Sequence, residues 1–502
     1  MEKGFVDLVF DEMWDKVKEG DFEGIKGYWS KVEYGAKLSD FNMAVRKLAM
    51  RLQLSYYDGK YFYFNGKVWR PVAIDAIKYA YCLLLDRLNL SNLASYYQTF
   101  NDNFLGTIKF RKELRPRMDV IAFENGVLDC RDFSFHAFDA EYSVTGYMPF
   151  KYNPKARCPM WNSFLKEVLP EKTSRVILQM FMGLGLMERS SVWDSGREGY
   201  NVELCLMLLG TGGNGKSTIY RTMAGIFGRE KISGLDYGDL VKPTDEGLRA
   251  RSTMRGKVFN WCVDSNETDF GKKHAEIFKK VVSGESLLDR RIGENVAENA
   301  RMPYLIFNLN NLPTINKGLA MVRRLQYINF RVTIPKNKQN PHLAQDLMNE
   351  YSGIFNWIVR GCKELKRKRF VFPNSGGSKK LLIESVVTSD PVLAWIKAYD
   401  IRYSAEARNE ICVEMRSGDL YDYLERWLNL NGLASSLPTK NGFGREMQKN
   451  GFNKIRRGDG IYYQVYGCDD EHLMRELTIE DIAEAEDDYD EEVHGTFISE
   501  ED

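Results

Sequence analysis

The residues with the clearest chemical potential form the run GTGGNGKS at positions 210–217. Its glycines allow the backbone to wrap around phosphate oxygens without clashes from β-carbons. Lys216 can neutralise the β- and γ-phosphates of ATP, Ser217 can bind Mg²⁺, and free N–H groups at a helix start favour an anion. An apolar run precedes the motif and helical sequence follows it, as a phosphate-binding loop requires. The expected nucleotide-binding residues are Gly210, Thr211, Gly212, Gly213, Asn214, Gly215, Lys216, Ser217 and Thr218.

A second chemical element is the pair of acids in VFNWCVDSNE, at positions 258–267. An ATPase needs an acid at the carboxyl end of a neighbouring strand to hold Mg²⁺ and to orient the attacking water. We assign Mg²⁺ binding to Asp264, together with Ser217, and polarisation of the water to Glu267. The alternative is that one of the two acids only caps the helix that follows.

A third element is the amide-rich end of YLIFNLNNLP, at positions 304–313. A polar amide at the carboxyl end of this strand would lie beside the γ-phosphate. Asn310 is the candidate for contact with the phosphate or with the attacking water. Asn308 and Asn311 compete with it, because an asparagine ahead of Leu-Pro also suits a plain turn.

These side chains need a sheet to bring them together. Short apolar runs at 202–209, 258–263 and 304–308 are typical of buried parallel strands, and sequence with helical periodicity lies between them. The pattern predicts an α/β unit over roughly 200–335. Ahead of it, 56–70 is aromatic and β-prone, with turn signals at Asp58-Gly59 and Asn65-Gly66; its aromatic residues favour a hairpin core over a base-stacking surface.

Composition limits the class of protein. The chain has 502 residues, of which 44% are hydrophobic and 28% charged, which is typical of a soluble globular protein with about three domains. No apolar run approaches the ~20 residues of a membrane span. The eight cysteines form no C-x-x-C pair. We therefore expect no zinc site. Scattered cysteines of this kind are typical of a protein in a reducing cytoplasm.

The formal net charge of zero conceals an asymmetry. Of the 70 acidic residues, 13 lie in 476–502, which contains no Lys or Arg. The remaining 57 acidic residues face all 70 basic ones, so the body carries a net charge of +13. A basic body beside an acidic tail indicates a polyanionic partner such as nucleic acid, although unevenly distributed surface charge is the simple alternative.

Together, these motifs resemble the superfamily 3 helicases, in particular the poxvirus primase-helicase type shared by phage and plasmid replication proteins. The similar segments, besides the phosphate loop, are 124–138, 152–169, FKKVVSGE at 278–285, LIFNLNNLP at 305–313, MVRRLQYINF at 321–330, 419–432 and 443–466. The sequence departs from the pattern where Met321 and Val322 stand in place of the usual aromatic residues, and where two acids end the second strand. Residues 1–110 are too short for a polymerase-type primase, so the resemblance implies a helicase without its own primase.

The resemblance also implies where partners bind. Arg323 or Arg324 would reach the ATP of the next subunit in a ring, with a sensor role within the same subunit as the alternative. Arg290 and Arg291 would lie on a β-hairpin that follows single-stranded DNA, unless they form surface ion pairs. The carboxyl region would be a winged-helix-like domain that contacts duplex DNA or docks a protein.

The predicted fold is multidomain α/β with a P-loop, AAA+-like core. The predicted regions are a mostly helical one with an aromatic β-hairpin (1–110), a family-type region ahead of the ATPase (111–195), the superfamily 3 ATPase (196–373), a winged-helix-like domain (379–470) and an acidic disordered tail (476–502).

The predicted function is an ATP- and Mg²⁺-dependent DNA helicase of a phage or mobile element, forming a homo-hexamer on single-stranded and forked DNA. A primase or polymerase partner, no membrane and the host cytoplasm belong to this prediction. The alternative is a non-translocating P-loop ATPase that loads or remodels a replication complex. A small-molecule kinase would leave Asn310 and the arginine pair unused. An initiator with a nicking domain would need a His-x-His pair, which the sequence lacks.

Overall fold

The computed structural model describes residues 3–18, 38–88, 98–189, 201–265, 269–270, 274–293, 295–299, 301–315, 321, 323–373, 376–407, 410–479 and 481. The chain divides into two compact units, Met1–Tyr152 and Asn153–Asp502. The boundary falls within the predicted region 111–195, so neither 110 nor 195 separates the units. None of the helices in the described ranges is long and apolar enough to cross a membrane.

The first unit combines helices with two small antiparallel sheets. Its helices are α1 (Lys3–Lys18), α2 (Leu38–Arg51), α3 (Ile74–Arg87) and α4 (Gly106–Arg111), the last preceded by a π-helical turn at Phe100–Leu105. Its strands are β1 (Leu54–Tyr57), β2 (Lys60–Phe64), β3 (Trp69–Val72), β4 (Val120–Phe123), β5 (Gly126–Asp129) and β6 (Ser134–His136). Tyr61 and Tyr63 on β2 are 6% and 7% exposed and pack in the core of this unit. These aromatic residues therefore build a hairpin core, as predicted.

The second unit contains more elements, which we give in chain order. Its strands are β7 (Cys205–Leu209), β8 (Ile232–Ser233), β9 (Phe259–Ser265), β10 (Asp269–Phe270), β11 (Leu287–Asp289), β12 (Ala297–Asn299), β13 (Tyr304–Leu309), β14 (Thr314–Ile315), β15 (Leu325–Asn329), β16 (Cys412–Arg416), β17 (Lys454–Arg457) and β18 (Gly460–Tyr466). Its helices are α5 (Pro159–Val168), α6 (Lys172–Gly183), α7 (Lys216–Phe227), α8 (Tyr237–Val241), α9 (Asp245–Ser252), α10 (Ala275–Val282), α11 (Leu343–Asp346), α12 (Tyr351–Arg367), α13 (Gly376–Ser389), α14 (Pro391–Ala398), α15 (Ser417–Leu430), α16 (Lys440–Lys449) and α17 (Asp470–Leu473).

The central feature of this unit is a five-stranded parallel sheet in the order β15-β7-β13-β9-β8. The three predicted strands are its three neighbouring strands β7, β13 and β9, which confirms the α/β arrangement with a parallel sheet. Every residue of β7 and β13 is buried, because helices cover both faces. The carboxyl ends of parallel strands meet at one edge, so the loops that follow β7, β9 and β13 share that edge.

Aromatic packing fixes both faces of the sheet. On one face, the Phe270 ring lies 4.4 Å from Tyr237 and 5.5 Å from Phe307. On the other, Tyr220 of α7 packs edge-on against Trp261 at 5.5 Å. This second contact packs α7 against that face of the sheet.

The carboxyl part of the second unit is a small antiparallel sheet, β16-β18-β17, that packs with α14, α15 and α16. Asp390 begins α14 by accepting the Leu393 N–H at 3.0 Å, and Pro391 follows it. Residues 376–378, which lie between the predicted ATPase and winged-helix-like regions, open α13.

The predicted acidic tail begins inside a packed segment. Ile479 is 3% exposed, and Trp427 donates its indole N–H to the Leu477 carbonyl at 3.0 Å. Apolar residues that alternate with acids therefore anchor this stretch, and the tail boundary at 476 is too early. The rest of the predicted tail, 482–502, lies outside the described residues.

Candidate functional site

The loop of residues 210–215 leaves β7 and leads directly into α7. Gly213 and Gly215 have φ angles of +77° and +87°, in the left-handed region that favours glycine. A β-carbon on Gly215 would lie 2.8 Å from Val168 Cγ1 and 3.0 Å from Phe164 Cζ. Both of these side chains are buried, so they leave no space for it. At Gly212, by contrast, a β-carbon would meet no atom within 4 Å.

Lys216, the first residue of α7, turns its ammonium back into this loop. The side chain donates to the Gly210 carbonyl and, at 3.2 Å, to Asn214 Oδ1. Lys216 is 6% exposed, and burial lowers its pKa to about 8, against the opposing influence of the Asp264 carboxylate. A buried cation that the neighbouring carboxylate compensates only in part is electrostatically suited to receive an anion.

The start of α7 adds further polar groups at the same place. The first intrahelical bond runs from the Ile219 N–H to the Gly215 carbonyl at 3.0 Å. The N–H groups of 216–218 therefore have no intrahelical acceptor and carry the positive end of the helix dipole. The Ser217 side chain is exposed and Thr218 is half-buried.

Asp264 and Asn310 meet at the same sheet edge. Asp264 is near the end of β9 and Asn310 directly follows β13; both are exposed. The Asn310 amide donates to Asp264 Oδ1 at 3.5 Å, which is a long and weak contact. The Asp264 carboxylate also acts on Lys216, because its negative charge raises the pKa of the ammonium. Lys216, Asp264 and Asn310 therefore form one cluster. Glu267 lies outside the described residues.

The three candidate asparagines differ in exposure. Asn308 is 3% exposed and accepts the Trp261 indole N–H at 3.0 Å. This contact lies between two strands and has a structural role. Asn311 is exposed beside Asn310, so geometry removes Asn308 from the exposed edge and keeps the other two there.

Asp236 is a carboxylate of this edge that the sequence interpretation missed. Its Oδ1 accepts from the Tyr237 N–H at 2.7 Å and from Ser265 Oγ at 2.5 Å. It thereby caps α8 and fixes the residue that follows Asp264. An acid directly before a short helix is an N-cap signal that could have revealed it.

The two arginines of the predicted arginine motif differ in their surroundings. Arg324 is 8% exposed and forms an ion pair with Glu203 at 2.8 Å. Arg323 is exposed. Both precede β15, and Leu325 pairs with Cys205, the first residue of β7. The arginines therefore lie at the sheet edge opposite to the loop, roughly 16 Å away along the five residues of β7.

The predicted DNA hairpin is formed by β11 and β12, which pair antiparallel. Arg290 donates to Asp245 at 3.0 Å, and its side chain remains 39% exposed. This contact is the surface ion pair that the sequence analysis gave as the alternative. Arg291 is half-buried, and the neighbouring Ile292 is 87% exposed. The hairpin therefore projects an apolar residue beside its basic ones.

The comparison with protein families concerns the region ahead of the loop. Residues 45–170 match the family model described as "D5 N terminal like". This match covers about a quarter of the chain and ends before the loop at 210–215. No curated protein matches the chain.

Solved structures give a distant likeness. The A-form apo structure of the NrS-1 C-terminal region has 11% identity and a TM-score of 0.46, over 84% of this chain and 98% of that one. Two further apo structures of that region have 12% identity and TM-scores of 0.44 and 0.42, each over 85% of this chain and 99% of the other. At TM-scores below 0.5, this likeness carries no functional argument.

Proposed function

We propose that this chain is an ATP-dependent DNA helicase of a phage or other mobile element. The observation that carries the proposal is the cluster of Lys216, Asp264 and Asn310 beside a glycine loop with left-handed Gly213 and Gly215. The resemblance of the motifs to superfamily 3 helicases supports the activity. The match of 45–170 to the D5 N terminal like model supports a D5-like replication protein.

The loop would hold the phosphates of ATP. Its glycine backbone and the free N–H groups of α7 would donate to the phosphate oxygens. Lys216 would exchange its loop carbonyl partner for the β- and γ-phosphate oxygens. Burial of the ammonium strengthens that interaction, since its charge is poorly screened by water.

Magnesium fits the donor set at this edge. Ser217 and Asp264 supply one hydroxyl and one carboxylate, and both are exposed. Mg²⁺ usually takes only one or two protein oxygens and completes its octahedron with phosphate oxygens and water. When bound, the ion would neutralise phosphate charge. Asn310 would contact the γ-phosphate or the attacking water, and Glu267 would polarise that water.

We propose that Arg323 is the residue that supplies positive charge to the ATP site of the neighbouring subunit. An arginine side chain cannot span roughly 16 Å to the loop of its own sheet, whereas Arg323 is exposed at the opposite edge. A ring of six subunits would bring that edge to the next subunit's loop. Arg324, which is ion-paired within its own chain, is unsuited to this role.

Two elements would bind DNA. They are the hairpin that carries Arg290 and Arg291, and the carboxyl part of the second unit. The latter has the element order of a winged helix, β16-α15-α16-β17-β18. Its segment from α16 to β17 carries the basic residues Lys440, Arg445, Lys449, Lys454, Arg456 and Arg457. Lys449 and Arg457 are paired with Glu446 and Glu414, which leaves the exposed Arg445 and Arg456 as the clearest phosphate contacts.

Strand displacement tests the proposal. The purified full chain is mixed with a forked DNA duplex and ATP, or with a non-hydrolysable ATP analogue as control. We expect the labelled strand to be released only with ATP. Hydrolysis of ATP without strand release would favour the loading or remodelling ATPase instead. Absence of hydrolysis with and without DNA would refute both.

A further inference from the structure

Arg189 contacts both ends of the hairpin β11–β12, which together we call its root. The chain enters the hairpin after Val282, at the end of α10, and leaves it through Pro303 into β13. Arg189 donates to the Pro303 carbonyl at 3.0 Å and also to the Val282 carbonyl. A single guanidinium therefore closes both ends of the segment that carries Arg290 and Arg291.

The turn at the hairpin entrance is packed tightly against this guanidinium. Gly284 has a φ angle of +69°, and a β-carbon there would lie 2.9 Å from Arg189 Nε. Asn201 also donates to the Ser283 carbonyl at 2.7 Å. Ser283 is 3% exposed, so its contacts are shielded from water.

A second arginine connects this root to the turn that carries Arg323. Arg324 Nη2 donates to Ser283 Oγ at 3.2 Å and to Glu203 at 2.8 Å. Its own carbonyl accepts the Cys205 N–H at 2.7 Å, at the start of β7. The side chain thus bridges the hairpin entrance and the edge of the sheet.

We infer that Arg189 and Arg324 are positioning residues that couple the Arg323 turn to the DNA hairpin through Ser283. Charge-assisted hydrogen bonds away from water hold their partners in fixed geometry. A shift of the Arg323 turn, as ATP in the neighbouring subunit is bound or hydrolysed, would therefore move the hairpin root. The inference rests on the proposed function, and it adds the route by which nucleotide and DNA affect each other.

Ser283→Ala tests the route, because it removes the hydroxyl that links Arg324 to the hairpin and keeps the Arg324–Glu203 pair. Ser252→Ala is the matched control, since the Ser252 hydroxyl bonds only within its own helix, to the Arg249 carbonyl at 2.7 Å. ATP turnover is measured with and without a poly-dT oligonucleotide. The affinity for the same oligonucleotide is measured with and without a non-hydrolysable ATP analogue.

For Ser283→Ala, we expect basal turnover and melting temperature close to wild type. Stimulation by DNA should fall about fivefold or more, a usual size for coupling between sites. The effect of the nucleotide analogue on DNA affinity should fall as well, because the same contacts would link the two binding sites. Arg189→Lys should act in the same direction, since one ammonium cannot replace a guanidinium that spans two carbonyls.

The inference is wrong if Ser283→Ala retains wild-type stimulation and the wild-type nucleotide effect on DNA affinity. It is also wrong if basal and stimulated turnover fall by the same factor, because that would show a purely structural role. If the wild-type chain itself neither hydrolyses ATP nor binds the oligonucleotide, the proposed function fails and the inference fails with it.

Discussion

Gly215→Ala places a methyl group where the structure has no space. The residue sits between the loop and α7 with a φ angle of +87°. Its β-carbon would approach buried side chains of α5, with the Val168 methyl only 2.8 Å away. Relief of the contact requires the loop to move away from α5 and to leave its left-handed conformation.

Two costs determine the expected size of the effect. A left-handed conformation costs a residue with a β-carbon about 1–2 kcal/mol. Overpacking of a filled core costs about 1–3 kcal/mol. The free energy of unfolding should therefore fall by about 2–5 kcal/mol if the loop keeps its conformation. If the loop rearranges instead, ATP affinity should fall about 30-fold or more, since each 1.4 kcal/mol is tenfold.

The assay is thermal and denaturant unfolding, together with titration of a fluorescent ATP analogue. Gly212→Ala is the matched control for stability, because a β-carbon at Gly212 meets no atom within 4 Å. We expect its unfolding free energy to stay within about 0.5 kcal/mol of wild type. Equal behaviour of the two variants in both assays would refute the account of the loop.

Three further predictions follow from the same structure. ATP affinity should fall as pH rises through about 8, since free Lys216 loses its proton there and must regain it to pair with phosphate; an affinity that stays flat between pH 7 and 10 would contradict this. Arg323→Ala should reduce ATP turnover about 10³-fold or more, and mixing with Lys216→Ala subunits should restore activity; no recovery in verified mixed rings would refute action from a neighbour. Deletion of 482–502 should leave the free energy of unfolding unchanged, whereas deletion of 476–502 should lower it by about 1.5–3 kcal/mol, because it removes the buried Ile479. Equal melting temperatures of the two truncations would show that 476–481 adds no stability.

The sheet could be predicted from the sequence because its strands are buried on both faces. CLMLL and YLIFNL are almost wholly apolar, a pattern that is typical of a central strand in a parallel sheet. The strand β16 was not predicted, because CVEMR is largely exposed and has no continuous apolar run. The start of α13 was also not predicted, since Gly376 and Gly377 are poor helix formers.

The parts of the candidate site that depend on the spacing of residues in a motif could be predicted from the sequence. The parts that depend on contacts between residues far apart in the sequence could not. Lys216 and Asn310 follow from local motifs. The separation of Arg323 from Arg324 depends on Glu203, which lies 121 positions away in the sequence. The role of Arg189 likewise depends on carbonyl groups more than 90 positions away, which no local pattern reveals.

ATP hydrolysis by Lys216→Ala tests the central claim most directly. Lys155→Ala serves as control, because Lys155 is exposed in the same unit and its side chain has no place in the cluster. We predict that wild type and Lys155→Ala hydrolyse ATP with Mg²⁺, while the rate of Lys216→Ala falls below about a tenth of theirs, since the lysine neutralises phosphate charge. Turnover of Lys216→Ala above that level, with the fold intact, would contradict the assignment of the loop as the ATP site.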